Sequence, residues 1–214
     1  MKEFVLGSAF LMFISSLPAG VSNGHTVRLE PELTLQKAAF LQSFGNSLPP
    51  IGYVTFCREH EAECRPSGQY AGRVQLTAQK RNELERVNRY VNQSVSPVTD
   101  LDLYGKVEVW TYPSGKGDCE DYVLLKRRLL IKAGWPREAL LITVVRDRKD
   151  EGHAVLTVKT DHGEFILDNQ AEAVLPWFET GYRFVKRQSQ KDPNVWVSLS
   201  DPRPAPATVA RQRR

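Results

Sequence analysis

The change of hydrophobic period halfway along the chain constrains its fold more than any other feature. Beyond residue 139, three short β-rich runs follow one another, at 140–145, 153–158 and 164–168, separated by the turn-forming stretches Asp147 to Gly152 and Asp161-His162-Gly163. Runs of this length, bounded by Asp and Gly, read as strands joined by tight turns. Further strand candidates stand at 182–186 and 195–199. Before residue 139 the period is helical. Leu84, Val87, Tyr90 and Val91 recur at helical spacing, with Lys80, Arg81, Glu83, Glu85, Arg86 and Arg89 on other faces, which predicts an amphipathic helix over 78–93. A second helix is predicted from Cys119 to about Ala133, with Tyr122, Val123, Leu129, Leu130 and Ala133 inward and Lys126, Arg127 and Arg128 towards solvent. Gly134 suits the position after its end, and Pro136 prevents its resumption. The two halves together imply an antiparallel meander packed on the Cys119 helix.

The remaining segments are less patterned. Residues 27–50 read as an irregular entry with at most a short helix around 35–44, 51–56 as a strand, and 100–110 as extended or loop. The N-terminus carries Lys2 and Glu3, then an uncharged run over 4–27 that is most apolar from Phe4 to Ile14. That pattern suits a secretory signal at 1–24, with cleavage after Gly24 or an exit at Pro18-Ala19-Gly20, and is shorter than the roughly 20 apolar residues of a spanning helix. Residues 25–200 then form one domain, and 201–214 a basic, proline-rich disordered tail. A net charge of +4 does not suggest nucleic acid, because basic and acidic residues alternate along most of the chain without a basic, aromatic-interleaved stripe.

Three cysteines divide unequally. Cys57 and Cys64 lie close together in a polar segment and would pair in an oxidising compartment, leaving Cys119 over. Cys119 stands in Gly117-Asp118-Cys119-Glu120-Asp121-Tyr122, where Asp118 suits the N-cap and Asp121 completes a near capping box. At such a helix start the unpaired N–H groups and the macrodipole favour a thiolate. A nucleophilic thiol needs a base and a group to orient that base. Among the four histidines, His25 lies at the signal boundary, His60 inside the cysteine loop and His162 in a turn, so His153 at a strand start is the candidate base. Asp168 closes the next strand, and in an antiparallel pair the start of one strand lies beside the end of the next. The bland readings of these residues are a buried inert cysteine, a packed strand histidine and a polar strand exit.

With Gly117 to Tyr122 and Lys126, Gly152-His153-Ala154-Val155-Leu156 and Leu167-Asp168-Asn169, supported by Tyr104-Gly105, Trp110 and Pro113, the chain resembles the bacterial transglutaminase-like cysteine proteinases. The resemblance implies an α+β fold with a papain-like or transglutaminase-like core, helices on the N-terminal side packing on an antiparallel sheet. It also implies export to the periplasm and a Cys119, His153 and Asp168 triad that hydrolyses peptide bonds of protein substrates. Some members release surface adhesins under an inner-membrane receptor for a cyclic dinucleotide, and bind calcium through the acids flanking the cysteine. Those acids are Asp118 and Glu120 here, which could equally serve the helix start. No organic cofactor is expected. Two further readings stand beside hydrolysis: acyl transfer to an amine through the same thioester, and a binding module whose triad has fallen silent.

Overall fold

The structure is a computed structural model that describes residues 39–68 and 72–199. The signal segment at 1–24 and the tail at 201–214 lie outside the described residues. Nine strands and five α-helices are present among them, and the expected antiparallel meander forms the centre of the main sheet. Strands β4 (Leu140–Arg146), β5 (Gly152–Thr160) and β6 (Gly163–Leu167) are consecutive neighbours, with Val145 opposite His153 and Leu156 opposite Leu167. On the other side of β4 come β8 (Arg183–Gln188), β9 (Trp196–Leu199) and β1 (Ser43–Ser47), and β7 (Leu175–Pro176) edges β6. All the pairings in this sheet are antiparallel.

Helix α3 (Ala78–Ser94) runs as its periodicity predicts, capped by the Thr77 hydroxyl accepting from Lys80 N. Helix α5 (Cys119–Lys132) also keeps the expected bounds, and Gly134 takes a left-handed φ of 89° just past its end. The two helices meet through Val91, Val95 and Tyr122 and cover one face of the sheet. Between them and the sheet lies the main core, which includes Leu84, Leu130, Trp135, Leu140, Leu156, Leu167 and Trp196. A smaller core fills the opposite face, with Leu41, Val155, Ile166, Trp177 and Phe184.

Several local expectations are corrected. Residues Ile51–Glu59 form helix α1, not a strand, because Tyr53 and Phe56, three apart, face the core with Gly52. Gly52 lies so close to the Trp110 indole that a Cβ would collide with it. The short α2 (Glu61–Cys64) follows, and the Cys57–Cys64 disulfide joins the two. The proposed helix at 35–44 gives way, over its described end, to β1. Asp100–Tyr104 is the short helix α4, capped by the Thr99 hydroxyl, where a loop was expected. On α5, Lys126 and Arg127 are buried and Ala133 is exposed, the reverse of the predicted faces. The helix is wrapped on more sides than an amphipathic surface helix, so charged residues had to be taken inside. Arg127 is satisfied there by donating Nε–H to Leu140 O at 3.1 Å.

Candidate active site

A cleft of about 780 Å³ opens where the start of α5 meets the end of β4 and the start of β5. Its floor includes Cys119, His153 and Ala154, and its rim carries the exposed apolar side chains Leu48, Ile51, Leu101 and Val107. The approach to Cys119 is pinned by two short parallel strands, β2 (Ser96–Pro97) and β3 (Lys116–Gly117). Gly117 is required there, since a Cβ would strike the Asp121 side chain. Asp121 is fully buried and accepts from Thr111 N at 3.0 Å, holding the strand-like approach against the helix.

Each of the sequence-predicted site residues reaches one region. The Ala154 N–H donates to Cys119 Sγ at 3.4 Å, which ties the helix start to β5 one residue beyond His153. His153 Nε2 lies 2.8 Å from Asp168 Oδ1, and both side chains are 3% exposed. Leu156 opposite Leu167 is the last pair of the β5–β6 ladder, so Asp168 emerges just past it, beside the beginning of β5. His162 stays in its exposed turn against Asp161, and His60 stacks between Phe56 and Tyr112, remote from Asp168 in its contacts.

Asp168 is held on every polar atom. Its Oδ1 also accepts from Gln170 N at 2.9 Å, and Oδ2 accepts from the Tyr182 hydroxyl at 2.6 Å. The Tyr182 ring stands edge-on to the His153 imidazole, with centroids 5.8 Å apart. From α3, Asn88 Oδ1 accepts the Asp168 N–H at 3.0 Å and Asn92 Nδ2 donates to the Asp168 carbonyl at 2.9 Å. Burial alone would raise the Asp168 pKa, but the hydrogen bond and charge of His153 and the Tyr182 hydroxyl outweigh it and hold the carboxyl below its usual range. Sequence reading missed Tyr182, Asn88 and Asn92. The last two stand four apart within the polar part of a helix, a spacing that places them on one face and was the available signal.

The acids at the helix start behave differently. Asp118 occupies the N-cap position, yet its side chain makes no capping bond; its Oδ2 faces Asp100 N at 3.4 Å. Asp100, Asp118 and Glu120 can each direct one carboxylate oxygen to a common point, with those atoms all within 4.8 Å of one another. Asp100 Oδ1 and Asp118 Oδ1 are buried without hydrogen-bond partners. Asp100 was also missed by sequence reading, because only the fold brings α4 onto the start of α5. Burial, then Asp118, push Glu120 up to about 8, and burial pushes Asp121 up to about 7. Burial also raises the Cys119 thiol well above its ordinary value, reinforced by Glu120, whose Oε2 accepts from Sγ at 3.0 Å. The helix start thus does not favour a thiolate by itself, because burial, and after it the Glu120 carboxylate, oppose the charged form.

Among solved structures, Legionella pneumophila LapG is similar at 26% identity over 54% of this chain and 67% of that one, with a TM-score of 0.47. Calcium-bound LapG from the same organism is 21% identical over 82% of this chain and 91% of that one, with a TM-score of 0.49. Comparison with curated protein sequences gave no match. Residues 43–204 match the profile of the bacterial transglutaminase-like cysteine proteinases, BTLCP, and the chain belongs to that cysteine proteinase family.

Proposed function

We propose that the chain is an exported thiol endopeptidase in which Cys119, His153 and Asp168 act as nucleophile, base and orienting group. The observation that carries this reading is the 2.8 Å contact from His153 Nε2 to Asp168 Oδ1, beside a cysteine bonded to the next residue of the same strand. With Nε2 engaged by Asp168, Nδ1 is the nitrogen left to take the thiol proton. Cys119 Sγ then attacks the scissile carbonyl carbon, and a backbone N–H at the helix start is the natural donor to the oxyanion. His153 passes the proton to the leaving amine as the C–N bond breaks, giving a thioester on Cys119. Water, deprotonated by His153, cleaves the thioester and restores the thiol. The apolar rim of Leu48, Ile51, Leu101 and Val107 suits an extended substrate segment rather than a small polar one.

Calcium fits the residues at the helix start. Asp100, Asp118 and Glu120 would hold it, their two unpartnered buried oxygens being the mark of a site short of a cation. An all-oxygen donor set suits a hard ion, which needs six to eight oxygens, so backbone and water would complete it. Bound there, the ion supplies positive charge that offsets the carboxylates around the thiol. The Cys57–Cys64 disulfide supports action in an oxidising compartment, which agrees with a signal at 1–24, a mature domain over 25–200 and periplasmic exposure. Substrates are then exported proteins, with a surface adhesin and an inner-membrane regulatory receptor as the partners suggested by family membership.

The test is incubation of the purified mature protein with exported proteins, with and without an amine donor, followed by mass spectrometry. New peptide termini are expected. Amine adducts without cleavage would select acyl transfer instead, and unaltered proteins would favour a silent binding module.

A further inference from the structure

The segment that carries Asp168 has no regular structure of its own. Between the end of β6 at Leu167 and the start of β7 at Leu175 the chain forms only bends, so its inward-facing N–H and C=O groups need side-chain partners. Helix α3 supplies them from one face. Arg81, Glu85, Asn88 and Asn92 follow one another at intervals of four, three and four residues, which stacks them in a single polar stripe. At one end of the stripe, Arg81 donates to Val174 O at 2.7 Å and Glu85 Oε2 accepts from Val174 N at 3.2 Å. At the other, Asn88 is fully buried; its Oδ1 accepts the Asp168 N–H at 3.0 Å, and its Nδ2 donates to the Ala171 and Glu172 carbonyls, each at 2.9 Å. Asn92 Nδ2 adds bonds to Asp168 O at 2.9 Å and Ala171 O at 3.2 Å. The Asp168 side chain closes the same turn by accepting from Gln170 N, so the path of the turn decides where Oδ1 meets His153 Nε2.

We propose that Asn88, assisted by Asn92, is a positioning residue for the reaction: by fixing both ends of the 168–172 turn to α3, it sets the placement of the Asp168 carboxylate against His153. This rests on the Cys119, His153 and Asp168 reading above. A carboxamide suits the task because one side chain offers both an acceptor and two donors, so Asn88 takes the N–H that opens the turn and the carbonyls that close it. It is also neutral, and brings no charge to compete with the imidazole for Asp168. Arg81 and Glu85 hold only Val174, at the β7 end of the segment, and contribute stability rather than placement. The same helix is bound to the one that carries the nucleophile. Val91 and Val95 pack on Tyr122, three residues after Cys119, and the Tyr122 hydroxyl donates to Val95 O. Helix α3 therefore holds the orienting carboxylate and the cysteine helix in one frame, against which β5 presents His153.

The experiment measures two quantities in the full chain and its variants, with calcium present and at one fixed neutral pH. One is the rate of Cys119 alkylation by iodoacetamide, and the other is the low-field ¹H resonance of the His153 Nε2 proton shared with Asp168. Asn88→Ala should slow alkylation about tenfold and move that resonance upfield or broaden it away, because the orienting carboxylate is displaced. Asn92→Ala, which removes the bonds to Asp168 O and Ala171 O, should slow it about threefold, and carries the test should Asn88→Ala not fold. Glu85→Ala loses a bond from the same stripe and should lower the melting temperature while keeping the parental rate and resonance. Parental rates in both asparagine variants would overturn the proposal. So would an equal slowing in Glu85→Ala, the mark of general loosening, or a slowing with the resonance unmoved, which would place the action of Asn88 away from the His153–Asp168 bond. Asp168→Ala separates the two levels of inference. An unchanged alkylation rate in that variant would remove the triad reading and this proposal with it. A slowed rate in Asp168→Ala beside parental rates in Asn88→Ala and Asn92→Ala would sink the asparagine proposal alone.

Discussion

One carboxylate holds His153 and a group of three crowds the start of the Cys119 helix, and the two arrangements are solved in opposite ways. Asp168 accepts from His153, Tyr182 and Gln170 and is held below its usual carboxylate range. Asp100, Asp118 and Glu120 crowd together with two oxygens unpartnered, and Glu120 is raised to about 8. A buried anion surrounded by donors is complete, whereas several buried anions surrounded by one another need a cation or protons. The contrast assigns different jobs to residues of one chemical type. Asp168 is suited to hold a histidine, and the helix-start acids to hold an ion.

The largest expected effect breaks the comparison at Cys119, which bonds to Glu120 on one side and to Ala154, the neighbour of His153, on the other. Cys119→Ala should reduce proteolysis by at least about 10³-fold while leaving the melting temperature close to that of the parent chain, measured on a substrate found by mass spectrometry. Removal of calcium comes next. Chelation should lower both activity and stability, and at an ion concentration near 100 Kd the lost stabilisation is about 2.7 kcal/mol. For a domain of this size that corresponds to roughly 5–10 °C in melting temperature, restored by added calcium and abolished in Asp100→Asn. No response to chelation would return Asp118 and Glu120 to the helix start.

Tyr182→Phe sharpens the other side. It removes one charge-assisted hydrogen bond to Asp168 and keeps the ring against His153, so kcat should fall about tenfold with KM little changed. A change confined to KM would mean that Tyr182 serves substrate binding instead. The pH dependence of the ion-free protein gives a finer test. Glu120 and Asp121 have folded-state pKa values of about 8 and about 7, above their unfolded values, so the folded state binds more protons between the two limits. Chelated protein should therefore lose stability as pH rises from about 5 to about 8, and its calcium affinity should strengthen over the same interval as those protons leave. Asp168 has the opposite sign: its contribution is present above its unfolded pKa and is lost as pH falls through its lowered folded value. Reduction of Cys57–Cys64 should cost about 2 kcal/mol in stability, read as a lower denaturant midpoint.

Sequence alone revealed what local pattern encodes. The two long helices and the three-strand meander follow from period and turn residues, whereas chain order only nominates Cys119, His153 and Asp168, and the family resemblance is what joins them into a proposed triad. What it missed depends on contacts between distant segments. Ile51–Glu59 reads as a strand until Phe56 and Tyr53 are seen to share a core with Trp110 and Trp196. Asp100 becomes a member of the acidic group only because α4 is folded onto the start of α5. Lys126 reads as a solvent-facing lysine because helical periodicity assigns charges outward, and only the tertiary packing around α5 encloses it. Asp118 was correctly placed at the helix N-cap, but its side chain is turned from capping towards Asp100.

The most direct test of the central claim is acid-quenched intact-mass spectrometry of the enzyme during turnover of a cleaved protein substrate. A transient mass increase equal to an acyl fragment, mapped by digestion to Cys119 and absent in Cys119→Ala, is the predicted result. Continued cleavage by Cys119→Ala, or an adduct mapped to another residue, would contradict the account.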